Sequence, residues 1–127
     1  MNQERALKVV LALVGLLFVA GVYFLGVSLW HRNQSEVFAQ MMLSVYVTLG
    51  VFLLVAARNP SAHRSLIAFT AWSSFAHGGA MAVQALTNVI PRSDLWRAVL
   101  PMVAIGALLL ALAPKKQAVE RASAAIA

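Results

Sequence analysis

The chain of 127 residues is 61% hydrophobic and only 11% charged, with a formal net charge of +6. A soluble domain of this size needs more charge on its surface, so the composition indicates a membrane protein. The lack of cysteine excludes a disulfide framework, a thiolate metal site and a cysteine nucleophile. The basic residues stand singly or in pairs at the ends of apolar runs, where lipid head groups lie, which argues against a nucleic-acid partner.

Four apolar runs follow one another, and a bilayer span takes about 20 residues. The first run, 9–30, is too long for the apolar core of a signal peptide and is predicted to be a retained span. The second run, 37–57, ends at a tight loop. In that loop Asn59 is suited to cap the third helix and Pro60 to open it.

The third span is predicted at about 65–90 and the fourth at 95–113. Pro101 falls in the first turns of the fourth span, where a missing N–H does least harm, and Ser93 or Asp94 can cap that helix. The fold class predicted is therefore all-α: a bundle of four transmembrane helices over residues 1–116. Residues 117–127 are predicted to form a flexible cytoplasmic tail.

The distribution of lysine and arginine predicts the orientation of the chain in the membrane. Both tails and the central loop together carry seven of these residues, whereas the two other loops carry three. Because cytoplasmic loops are enriched in lysine and arginine, both termini are predicted to lie in the cytoplasm. The basic residues predicted to face lipid head groups on that side are Arg58, Arg64, Lys115 and Lys116.

Long stretches of the sequence resemble a known family. They are ERALKVVLALVGLLF (4–18), QMMLSVYVTLGVFLL (40–54) and AARNPSAHRSLIAFTAWSSFAHGGAMAVQAL (56–86). The family consists of small bacterial integral membrane proteins with four predicted helices and is known only as a domain of unknown function. The resemblance implies the fold and a bacterial inner (cytoplasmic) membrane, and it implies no activity. The chain is also loosely similar to DoxX-like proteins in size and helix number.

The third span carries an uncharged polar edge. Steps of three and four residues connect Thr70, Ser73, His77, Ala80 and Gln84, so these positions share one side of a helix. Facing lipid, these side chains would leave donors and acceptors unpaired, at a cost of a few kcal/mol each. The edge is therefore predicted to face another helix, a partner subunit or a wet cavity. Its residues are Thr70, Ser73, Ser74, His77 and Gln84, and one face of the second span offers Gln40, Ser44 and Thr48.

His77 lies near the middle of its span and admits several readings. As a neutral structural histidine it would hydrogen-bond Ser44, Thr48 or its own copy in a neighbouring subunit. As a functional residue it would line a proton or solute path, ligate a haem or chlorin, or bind copper together with Met81. No span contains an acidic residue, and no set of catalytic residues can be assembled, so the sequence argues against an enzyme.

The small residues of the spans are predicted to let helices pack closely, with self-association as the alternative. The pairs concerned are Gly78 with Ala82 and Ala76 with Ala80. Because four thin helices bury little interior, we expect a homo-oligomer or an accessory subunit of a larger membrane complex. Two alternatives stay open: a channel or facilitator for a small solute with a polar path around His77, and a haem- or chlorin-carrying subunit.

Overall fold

The computed structural model describes residues 2–31, 36–114 and 123–126, and within these ranges it contains helices and no strand. The elements are α1 (Asn2–Trp30), α2 (Val37–Ala56), a 3₁₀ helix (Pro60–His63), α3 (Arg64–Leu86), a π-helical turn (Leu95–Val99) and α4 (Leu100–Leu112). Four stretches of helix are long and apolar enough to cross a membrane, which confirms the predicted all-α class with four membrane helices. Of the predicted tail, only 123–126 is described, as one helical turn.

Large apolar side chains on the outside of the helices indicate lipid as the solvent. Leu13, Phe52 and Trp72 are each more than half exposed. Within the most apolar 18-residue window of each span, at most 28% is buried inside the protein. A soluble monomer rarely exposes contiguous apolar surface on this scale, whereas hydrocarbon solvates it without cost.

The chain divides into two compact units. The α1–α2 unit comprises residues 8–59, and the α3–α4 unit comprises residues 1–7 with 60–127. In the α1–α2 unit the two helices come closest at Gly15 and Gly50. A Cβ atom added to Gly50 would lie 2.8 Å from the Gly15 carbonyl oxygen, and one added to Gly15 would lie 2.9 Å from the Gly50 carbonyl oxygen. The backbones therefore touch at a point where only glycine fits.

The α3–α4 unit closes in a different way, with a glycine against an aromatic ring. A Cβ atom on Gly106 would lie 2.9 Å from the Ala71 carbonyl oxygen and 2.9 Å from the Phe75 ring. At the other end of the two helices, Arg64 Nε donates to the Pro114 carbonyl oxygen at 2.9 Å. This bond ties the start of α3 to the end of α4.

Helix α3 ends at Leu86, four residues before the predicted limit at Ile90. The cause is a left-handed residue, Asn88, with φ of 61°. Its N–H donates to the Ala85 carbonyl and the next N–H, of Val89, donates to the Gln84 carbonyl at 2.8 Å. These two bonds make a Schellman motif, and asparagine tolerates the required conformation better than most residues.

Pro101 changes the start of the fourth span. It is the second residue of α4, directly after the π-helical turn. In that turn the Leu100 N–H donates to the Leu95 carbonyl, five residues back instead of four. A proline ring presses on the carbonyl four residues before it, here Arg97, and cannot donate to it. The wider turn relieves that clash, so the proline alters the helix even in its first turns.

Candidate functional site

The polar edge of α3 borders the buried face of that helix instead of coinciding with it. Thr70 and Ser74 are fully buried, His77 is half-buried and Gln84 is exposed. The buried side chains recur at Thr70, Ser74, Gly78 and Ala85. Beyond Thr70, the predicted edge at positions 73, 77, 80 and 84 is displaced from this stripe by one residue, which is about 100° around the helix.

The hydroxyl groups of α3 find their hydrogen-bond acceptors within the helix itself. Thr70 donates to the Leu66 carbonyl at 2.8 Å, and Ser74 donates to the Thr70 carbonyl at 2.7 Å. Ser73 also donates to the Thr70 carbonyl, at 3.1 Å. A hydroxyl that donates to a backbone carbonyl of its own helix needs no hydrogen-bond partner outside that helix. The expectation that these donors need another helix, a partner or water therefore does not hold for the hydroxyls, and for His77 and Gln84 it stays a prediction.

The polar face of α2 shows the same arrangement for its hydroxyls. Ser44 donates to the Met41 carbonyl at 2.7 Å and Thr48 donates to the Ser44 carbonyl at 3.0 Å, and both residues are exposed. They line a shallow hollow of about 320 Å³ on the surface of α2. The predicted edge residues thus fall into both units, with Gln40, Ser44 and Thr48 in one and the α3 residues in the other. Their meeting across one seam stays a prediction.

Gln40 belongs to a hydrogen-bonded chain of side chains that the sequence did not indicate. Its Nε2 donates to Ser28 Oγ at 2.9 Å, and Ser28 Oγ donates in turn to Glu36 Oε2 at 2.7 Å. These three residues, with His31, form the polar part of a pocket of about 450 Å³ at the loop end of the α1–α2 unit. The available signal in the sequence was Ser28 itself, a single polar residue among the apolar residues of the last two turns of α1.

His77 lies on α3 at the border between buried and exposed faces, four residues before the half-buried Met81. In the described ranges no three histidine or acidic side chains come together in a way that could hold a metal ion. Ligation of a haem or chlorin, and copper binding by His77 with Met81, stay predictions of the sequence, as does the role of His77 as a structural histidine.

Of the two small-residue pairs in α3, one faces inward and one outward. A Cβ atom on Gly78 would lie 3.4 Å from Met102 Cβ, so this glycine contacts α4 within its own unit. Ala76 and Ala80 are exposed, and so is Gly79 between them. A Cβ atom on Gly79 would have no atom within 4 Å. We call Ala76, Gly79 and Ala80 the small outer face of α3.

Two exposed tryptophans, and two of the basic residues predicted to face lipid head groups, lie at helix ends. Trp30 and Trp96 are strongly exposed, at the end of α1 and in the π-helical turn respectively. Arg58 is exposed after α2, whereas Arg64 is half-buried and bonded to Pro114, so it also holds its unit together. Lys115 and Lys116 lie outside the described residues.

In a comparison with known protein families, residues 3–126 match a family described as a "Family of unknown function (DUF6632)". The chain belongs to this family. The family match spans all four membrane helices and brings no activity with it, in agreement with the resemblance seen in the sequence. No curated protein and no solved structure matches the chain. Bacterial origin and the likeness to DoxX-like proteins stay predictions.

Proposed function

We propose that this family member is a non-enzymatic multi-pass membrane protein that works by associating with other transmembrane helices, in the first place with copies of itself. The observation that carries the proposal is the small outer face of α3. Its three residues are exposed, and Gly79 has open space around it. The glycines that serve contacts within the units, such as Gly50 and Gly106, lie elsewhere, so packing within the α3–α4 unit does not account for Gly79.

Small residues on the outside of a membrane helix lose dispersion contacts that larger side chains would make with lipid. They recover them when a second helix approaches closely, which is why such residues are enriched where transmembrane helices associate. Gln84 extends the same side of α3 one turn beyond Ala80 and is exposed. An amide side chain can hydrogen-bond across a helix interface, and this adds a polar contact to the apolar one.

The mass of the assembly in a mild detergent tests this proposal. We expect the unaltered protein to be a homo-oligomer by native mass spectrometry, and Gly79→Leu to shift it towards monomer by filling the small outer face. Gly26→Leu is the matched control, because a Cβ atom on Gly26 also has no atom within 4 Å. The proposal would be contradicted if the unaltered protein were strictly monomeric, or if both variants dissociated the oligomer equally. An accessory role in a larger complex would instead give a monomer that co-purifies with another membrane subunit.

One observation favours a second function, a channel or facilitator for a small solute. Ser44 and Thr48 are exposed within a membrane span and line a shallow hollow. Each hydroxyl donates its hydrogen bond to a backbone carbonyl of its own helix. Their oxygen lone pairs would line a path at the contact between subunits, together with His77. Flux of small neutral and anionic solutes into proteoliposomes tests this. If a flux is found and His77→Ala leaves it unchanged, His77 is not part of the path.

The location belongs to the same proposal. We place the protein in the inner membrane of a bacterium because the sequence resembles a family of such proteins, and we place both termini in the cytoplasm because of the lysine and arginine distribution. An alkaline phosphatase fused to the C-terminus, which is active only outside the cytoplasm, should be inactive. Full activity of this fusion would overturn the orientation.

A further inference from the structure

We propose that the α1–α2 unit contains a binding site for an amphiphile with a protonated amine head group, in the pocket at its loop end. This inference goes beyond the proposed assembly function and does not depend on it. The pocket has a volume of about 450 Å³, within the usual range for small-molecule sites. Its polar part is formed by Ser28, His31, Glu36 and Gln40, and its apolar part by Phe24, Val27, Ala39 and Leu43.

The polar part presents hydrogen-bond acceptors. Ser28 occupies one lone pair of the Glu36 carboxylate, through Oε2, and an ionised carboxylate has about four. Gln40 turns its amide nitrogen to Ser28, so its carbonyl oxygen is an acceptor for a ligand. Glu36 is the one acidic residue in 8–59. An ammonium group, with three donors and a positive charge, is complementary to a carboxylate beside an amide oxygen.

The chain of hydrogen bonds also holds Glu36 in place. Ser28 sits on α1, Gln40 sits on α2, and Glu36 is the residue that precedes α2. The two helices run in opposite directions at this end, where α1 finishes and α2 begins. Their dipoles therefore oppose each other at the carboxylate and largely cancel.

The apolar part of the pocket continues towards the membrane interior. Phe24 precedes Ser28 by one helical turn and Leu43 follows Gln40 by nearly one, so both lie roughly 5 Å deeper along their helices. The exposed Trp30, which ends α1, marks this end as the interfacial region. A head group at Glu36 and a hydrocarbon tail beside Phe24 and Leu43 thus have the orientation of a bilayer amphiphile.

Three single-chain probes of equal length separate the charge from the tail: decylammonium, decanol and decanoate. Each is titrated below its aggregation limit into the protein in dodecyl maltoside, and the unfolding temperature is followed. We expect decylammonium to raise the unfolding temperature at a lower concentration than decanol or decanoate does. Glu36→Gln keeps the shape of the side chain and should weaken the apparent affinity for decylammonium by about tenfold, the loss of one charge-assisted bond. Asp94→Asn, which removes a negative charge from the segment between α3 and α4, should leave the apparent affinity unchanged.

A second variant covers the case in which Glu36→Gln does not fold. Ala39→Leu fills the pocket without altering charge, and it should abolish the decylammonium effect while Gly26→Leu, on open surface, preserves it. Equal stabilisation by decanol, or a Glu36→Gln protein that responds like the unaltered one, would overturn the inference. In nanodiscs, displacement of decylammonium by phosphatidylethanolamine, and not by phosphatidylglycerol, would identify the natural source as a lipid. Failure of both lipids to displace it would identify a free lipophilic amine.

Discussion

In the α3–α4 unit, the hydroxyls of Thr70, Ser73 and Ser74 each donate to a carbonyl of their own helix. In the α1–α2 unit, by contrast, Ser28 connects the amide of Gln40 to the carboxylate of Glu36, and so joins two helices through side chains. The difference shows which polar groups demand a partner inside a membrane protein. A hydroxyl can be satisfied by a carbonyl of its own helix, as on α3, or can join other groups, as Ser28 does, whereas amides and carboxylates must find a group on another element or a ligand.

The helix contacts differ between the units as well. In the α1–α2 unit, two of the three atoms nearest to a Cβ added at Gly50 are backbone atoms. In the α3–α4 unit, two of the three atoms nearest to a Cβ added at Gly106 belong to the Phe75 ring, and one is the Ala71 carbonyl oxygen. A backbone contact is rigid, because the atoms that would have to move belong to two whole helices. A contact with a side chain can relax in part. The two units should therefore respond unequally to the same added methyl group.

The largest effect is expected for Gly50→Ala. The new Cβ atom would meet the Gly15 carbonyl oxygen at 2.8 Å and the Val19 backbone nitrogen at 2.9 Å. Overpacking of this kind costs about 2–3 kcal/mol of stability. Gly26→Ala, which meets nothing within 4 Å, is the control and should be neutral or slightly stabilising because alanine favours helix. Thermal unfolding in mild detergent measures the stability of both variants. Equal stability of the two would show that the contact between Gly15 and Gly50 does not restrict the size of the side chain.

A smaller loss is expected for Gly106→Ala, of about 1–2 kcal/mol. One neighbour is again a backbone atom, the Ala71 carbonyl oxygen, but the other is the Phe75 ring, which can tilt. Gly78→Ala is the control on the facing helix, where the nearest atom would be at an ordinary 3.4 Å. If Gly106→Ala costs more than Gly50→Ala, the ranking of the two contacts is reversed and the comparison fails.

The smallest effects compare two serines. Ser28→Ala removes the group that joins Gln40 to Glu36 and should cost about 1 kcal/mol, because both partners lose a hydrogen bond. Ser74→Ala should cost less than about 0.5 kcal/mol, although Ser74 is fully buried, since its hydroxyl only doubles a backbone bond within α3. A greater loss of stability for Ser74→Ala than for Ser28→Ala would mean that the hydroxyls on α3 make stabilising contacts beyond the hydrogen bond to their own helix.

The sequence was sufficient for the four spans, because run length and apolar composition decide whether a helix can cross a bilayer. It did not reveal the end of α3 at Leu86, since the Schellman motif depends on the left-handed conformation of Asn88. It also did not reveal the pocket. Ser28 and Glu36 belong to different segments, separated by eight positions, and only the return of the chain through the loop brings them within 2.7 Å.

The polar edge of α3 shows a different limit of sequence reasoning. The steps between Thr70, Ser73, His77 and Gln84 correctly place them along one side of a helix. Periodicity cannot tell which side of a helix is buried when apolar residues surround it, and here the buried stripe lies one position further on. Nor can it show that a hydroxyl has already bonded to the carbonyl three or four residues back.

Disulfide cross-linking in native membranes tests the central claim, association through the small outer face, most directly. The chain has no cysteine, so single cysteines can be added without removing any. Ala80→Cys, on that face, should form a covalent dimer on mild oxidation, whereas Ala104→Cys, exposed on α4 of the same unit, should stay monomeric. A monomer for both variants, or dimers of equal yield, would contradict the account.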